Sequence, residues 1–323
     1  MDRVLLTGAT GMLGNNLARE LIADGRPVRA LVRSVERARP LLPEACEVVA
    51  GDVLDRDSIR RGLLGCSAVY HAAGLPEQWL RDAQQFQRVN VEGTENLIEA
   101  SLAHGVKRFV YASTIDVFAW RPGEPFDESV IDAQPKGTAY ERSKQDADRL
   151  VAVALERGLP AVFLHPSAIY GPGPAGSPGL NDFLRDLLRG AIPMLLPGGM
   201  PLVFGRDVAR GHILAEQRAA VGARYILSES YWTLAGIARA VRDERPATKV
   251  PRIMPLWVAG LVATAGEASS RLTRKPPLIP RGQLHFLASH AVPVADRARR
   301  ELGWNPTPFR KALAETLPAL HVA

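Results

Sequence analysis

The chain has 323 residues, 46% of them apolar, which is enough for one large domain or two closely joined ones around a filled core. Its formal charge of +6 comes from scattered basic residues, with no run of five or six like charges and no zinc-ligand spacing, which argues against generic nucleic-acid binding. Two cysteines, Cys46 and Cys66, support neither a disulfide framework nor a metal site, and point to packing residues in a reducing cytoplasm.

RVLLTG (3–8) is a short apolar run ending in small residues, so the chain is expected to enter a buried strand directly, with no signal peptide. TGATGMLGNNL then sets Gly8, Gly11 and Gly14 at three-residue spacing, with Leu13, Leu17 and Leu21 along one helix face. That pattern supplies a tight turn, a close backbone approach and a helix N-terminus whose free N–H groups suit a pyrophosphate. A plain strand-to-helix turn is the alternative, and the context favours a dinucleotide. PVRALVR (27–33) ends on Arg33, where an acidic residue would hold the 2′-hydroxyl of NAD. A guanidinium suits a 2′-phosphate instead, so NADP(H) is favoured over NAD(H), with Arg37 as a second contact. CEVVAGD (46–52) ends on Asp52, placed to accept from an adenine amino group, to cap the next helix, or both.

SAVYHAAG (67–74), KRFVYAST (107–114) and PAVFLHPS (160–167) are further buried-strand patterns, each separated from the last by helical periodicity. The alternation predicts an α/β fold, a Rossmann-type doubly wound parallel sheet over residues 1–172, with a return at about 202–228. GPGPAGSPG (171–179) marks a transition to a smaller, mostly helical substrate lobe over 173–323. Helices are expected near 180–190, 207–219, 233–244, 256–271 and 308–320. PLWVAGLVATAG (255–266) is far shorter than the ~20 residues of a membrane span and predicts a core or interfacial helix. LPEQWLRDAQQFQ (75–87) should border the strand ends, where Trp79 and Phe86 line an apolar pocket or pack in the core. His71 and His165 end strands and are read as structural first.

AYERSKQDADRL (139–150) places Tyr140 and Lys144 one helical turn apart. An ammonium near Tyr140 would draw the phenol down from ~10, so that it exchanges a proton near neutrality. Ordinary helix-face neighbours would show the same spacing. VYAST adds weight, because Ser113 and Thr114 should reach the sheet edge that carries the glycine loop.

Taken together, TGATGMLG, GDVLD, YHAAG, NVEGT with Asn90, VYASTIDVF, YERSK and HPSAIYGPG resemble the extended short-chain dehydrogenase/reductase family over most of the chain. The resemblance implies Tyr140 as acid/base, Lys144 orienting the nicotinamide ribose and lowering the Tyr140 pKa, and Thr114 on the substrate oxygen with Ser113 beside it. It also implies a cofactor site formed by Gly8, Thr10, Gly11, Met12, Leu13, Gly14, Arg33, Asp52, Val53, Ala72, Ala73, Gly74, His165, Pro166 and Ser167 with Tyr140 and Lys144. Nucleotide-sugar branches usually carry an asparagine where Ala168 stands, and FGRDVA (204–209) departs from their pattern. LHPSAIYGPG, PPLIPRGQLHFL and ADRARRELGWNPT resemble the 3β-hydroxysteroid dehydrogenase and dihydroflavonol reductase-like branch, which implies an apolar ketone or secondary alcohol as small-molecule substrate, and a homodimer through paired helices. The alternatives are a nucleotide-sugar epimerase or dehydratase using its cofactor transiently, and a non-enzymatic dinucleotide-binding protein.

Overall fold

The computed structural model describes residues 2–174, 179–273, 284, 286, 287 and 290–320. Most of PPLIPRGQLHFL (276–287) and residues 175–178 of the Gly/Pro loop lie outside the described residues. Seven parallel strands form the main sheet: β1 Arg3–Thr7, β2 Val28–Val32, β3 Glu47–Ala50, β4 Cys66–His71, β5 Arg108–Ala112, β6 Ala161–Pro166 and β7 Arg224–Leu227. Their order is β7-β6-β5-β4-β1-β2-β3. The order reverses between β1 and β4, and in such sheets the crevice at the strand carboxyl ends there takes the ligand.

Helices α1 (Met12–Ala23), α2 (Arg56–Leu63), α3 (Gly93–His104), α4 (Ala139–Glu156) and α5 (Gly205–Arg218) cover the sheet. Side chains alternate along β1, so Val4 and Leu6 join α1 and α5 in one core while Leu5 joins α2, α3 and α4 in the other. Strand β7 closes one edge of the sheet beside β6. The segment Gly199–Phe204 does not enter the main sheet; it pairs with Ala168–Tyr170 and Ser230–Thr233 in a separate three-stranded sheet.

That small sheet carries a third core with the helices Leu180–Leu188, Leu234–Glu244 and Phe309–Ala319, built around Tyr170, Leu184, Phe204, Ile237, Phe309 and Leu313. Two sequence motifs meet where this lobe joins the sheet. Asp207, at the head of α5, accepts from the Thr307 amide at 2.6 Å and its hydroxyl at 3.1 Å, and Trp304 Nε1 donates to the Asp207 carbonyl at 2.8 Å. No helix of the described residues is long and apolar enough to cross a membrane.

Candidate active site

The glycine loop follows from close contacts. Gly8 has φ +73°, and a Cβ there would lie 2.5 Å from the Ala72 carbonyl, so the ends of β1 and β4 can approach only without a side chain. A Cβ on Gly14 would overlap the Gly8 carbonyl oxygen. Gly11 starts α1 with no side-chain cap, which leaves first-turn N–H groups available to an anion. Thr10 is exposed, Met12 is half-buried and Leu13 points into the core. Asn16 ties this loop to the lobe junction by donating to the Pro172 carbonyl at 3.1 Å.

Arg33 and Arg37 are exposed beyond β2, with no ion pair among the described residues. Asp52 accepts from the Leu54 amide at 3.0 Å in a local turn, and the buried Val53 presents its carbonyl to Asn96 at 3.1 Å. Ala72 and Ala73 are half-buried and Gly74 is exposed, with the Ala73 amide on Thr7 Oγ1 at 3.3 Å.

A capping box fixes the start of α4: Thr138 Oγ1 accepts from the Glu141 amide at 3.1 Å, and Glu141 Oε2 accepts from the Thr138 amide at 2.8 Å. Tyr140 therefore sits in the first turn, at the sheet edge, with the rings of Phe86 and Phe286 edge-on at 6.0 and 6.5 Å. Its hydroxyl is in hydrogen-bonding reach of Thr114. Burial, and then the Asp116 carboxylate, push the Tyr140 phenol well above its usual range. The expected lowering by Lys144 is not seen, because burial and nearby carboxylates dominate.

Lys144 is buried, and burial lowers it to about 8 against the opposing pull of Asp148 and Asp116. Its Nζ donates to the Ala112 carbonyl at 2.9 Å and more weakly to the Tyr111 hydroxyl at 3.4 Å. An ammonium has three donors, so one is left for a ligand.

The structure separates Ser113 from Thr114. Ser113 Oγ donates to the buried Asp148 at 2.6 Å, and the other oxygen of Asp148 pairs with Arg224 Nη1 at 2.6 Å. Thr114 Oγ1 instead donates to Asp116 at 2.7 Å, beside Tyr140. His165 is fully buried: Nδ1–H donates to the Thr114 carbonyl at 3.1 Å, and Nε2 faces Arg224 at 3.4 Å. His71 Nε2 bonds Thr94 at 2.9 Å and Nδ1 bonds Thr7 at 2.8 Å. Burial lowers both rings to about 3, so both are neutral. Pro166 ends β6 and Ser167 follows it, and the buried Ser167 Oγ has no protein partner among the described residues.

Free N–H groups on α1, the unsatisfied Ser167 hydroxyl and one spare Lys144 donor together fit a dinucleotide. Sequence reasoning missed Asp148, Asp116 and Arg224. Asp148 stands one helical turn beyond Lys144 and carried a spacing signal, whereas Arg224 lies 76 residues further along and carried none. Asn90, quoted only as part of a motif, grips both Leu75 backbone groups at 2.7 and 3.2 Å and Ser143 at 3.0 Å, joining the loop after β4 to α4. It sits on a wider π-helical turn, Gln87–Glu92, a feature common at functional sites.

Residues 4–227 match the NAD dependent epimerase/dehydratase family. The chain is 32% identical over 317 residues to the 4-hydroxy-2-methyl-3-oxo-4-farnesyl-3,4-dihydroquinoline-1-oxide ketoreductase of Stigmatella aurantiaca, covering 94% of this chain and 91% of that one. It is 27% identical over 350 residues to the 3-beta-hydroxysteroid dehydrogenase of Mycolicibacterium neoaurum, covering 98% and 91%. The crystal structure of gox2253 superposes with a TM-score of 0.85 at 29% identity, over 99% of this chain and 98% of that one. The fold is also that of UDP-glucose 4-epimerase from Thermus thermophilus in complex with NAD, with a TM-score of 0.79, 22% identity and 99% of each chain covered. The protein thus belongs to the NAD-dependent epimerase/dehydratase family of extended short-chain dehydrogenase/reductases and is an NAD(P)-dependent oxidoreductase.

Proposed function

We propose that the protein reduces an apolar ketone to a secondary alcohol with NADPH. The supporting observation is the grouping of Thr114, Tyr140 and Lys144 at the carboxyl end of β5, with the Phe86 and Phe286 rings against Tyr140. The first turn of α1, the strand ends from Ala72 to Gly74, and Ser167 would hold the cofactor, and Arg33 would face a 2′-phosphate. A bound nicotinamide supplies the hydride. When substrate binds, the single O–H of Thr114 would turn from Asp116 to the carbonyl oxygen, and Tyr140 gives that oxygen a proton. Lys144 presents its remaining N–H to the cofactor ribose. We read the assembly as a homodimer through the helix pair that includes α4, where Val153 is 58% exposed.

Tyr140→Phe is expected to lower turnover by roughly 10²- to 10⁴-fold while NADPH affinity stays close to wild type. A Phe variant of unchanged turnover would remove the mechanism. Arg33→Ser is expected to weaken NADPH binding by about ten- to a hundredfold, the worth of one hydrogen bond to a charged group, and to leave NADH binding alone. Calorimetric titration of both cofactors checks this, and equal losses would contradict the role of Arg33.

A further inference from the structure

The helix Leu256–Thr273 has an exposed face that ordinary surface helices do not show. Leu256, Trp257 and Leu261 are 58%, 71% and 62% exposed, while Ala259 and Ala263 are buried. A Cβ added at Gly260 would meet nothing within 4 Å, so this face is open. From Leu256 to Gly266 there is no charged side chain on any side. A helix that is apolar all round is normally covered, by protein or by lipid. Ile253, 53% exposed, and Met194, on the neighbouring paired strand, extend the patch.

The charge distribution singles out what covers it. Residues 245–295 contain seven lysines and arginines and one carboxylate, Glu267, a net +6 equal to that of the whole chain. The other residues balance, with 33 basic and 33 acidic side chains. Lys249 and Arg252 are exposed just ahead of the apolar face. An uncharged helix face with a prominent Trp, preceded by exposed cations, is the combination that binds anionic bilayer surfaces, where apolar side chains enter the interface and Lys and Arg meet phosphate. A second copy of the chain would bring the same excess of positive charge to the contact.

We propose that this patch docks the protein onto an anionic phospholipid surface without crossing it. Its use would be the exchange of substrate with lipid, and that part alone rests on the apolar-ketone reading above.

Flotation of the full chain with phosphatidylcholine vesicles, with and without phosphatidylglycerol, tests the docking and requires no turnover. Binding is expected to anionic vesicles only and to fall with added salt. Trp257→Glu combined with Leu261→Glu should abolish it, and Lys249→Glu combined with Arg252→Glu should weaken it by about tenfold or more. NADPH titration of each variant shows that it is folded. Absence of anionic-vesicle binding, or binding unchanged in the Trp257/Leu261 variant, would overturn the proposal. So would a lipid-free drop in oligomer mass in that variant, which makes the face a contact between copies. A Trp257-dependent shift of duplex DNA without vesicle binding would overturn it as well.

Discussion

Ser113 and Thr114 are adjacent hydroxyls at the end of one strand, and their partners separate them. Ser113 is committed to Asp148 at 2.6 Å, inside a buried pair with Arg224, while Thr114 stands between Asp116 and Tyr140. In sequence the two are near-equivalent, since a strand end places both at the sheet edge and only the packing partner across the sheet tells them apart. Ser113→Ala should therefore keep turnover within a few-fold and cost about 1–3 kcal/mol of stability, because it leaves Asp148 short of one hydrogen bond. Thr114→Val should remove most turnover and cost about 0.5–2 kcal/mol, because it takes away the cap on the Ile115–Val117 turn. Parallel kinetics and urea melts check both, and the opposite pattern would exchange the two roles. Tyr140 and Lys144 were likewise legible as a pair. Their electrostatics were not, because burial and the carboxylate of Asp116 are properties of the assembled fold.

At the level of elements, the main-sheet strands were readable because each is a short apolar run that the parallel sheet buries on both faces. The small sheet was less so: Ala168–Tyr170 and Ser230–Thr233 are too short for periodicity to mark, and Gly199–Phe204 reads like another core strand until its neighbours are known. The histidines on β4, β6 and α5 carry a consequence for stability. Burial lowers His71 and His165 to about 3 and His212 to about 4. Between these values and the ordinary 6.5 the unfolded chain binds more protons than the folded one, so stability held above pH 6.5 is lost as pH falls. Unfolding near pH 5 should take up about three protons from these rings, measurable as the slope of unfolding free energy between pH 6.5 and 5. A flat profile would mean that the rings are not held neutral.

Across the whole molecule, the sheet reversal between β1 and β4 brings the glycine loop, the end of β5 and the head of α4 to one crevice, and the small lobe closes on it through Asn16 and Asp207. The same fold serves epimerases, which return the hydride they remove, and reductases, which consume their cofactor, so the fold alone does not choose between them. The proposal of net reduction rests on Ala168 and on the aromatic rings beside Tyr140. The direct measurement is the stoichiometry of NADPH oxidised to alcohol formed over many turnovers, with a panel of apolar ketones and, separately, with nucleotide sugars. The account predicts one NADPH consumed per alcohol with at least one ketone and no conversion of the sugars; sugar conversion with no net cofactor change, and no ketone reduced, would contradict it.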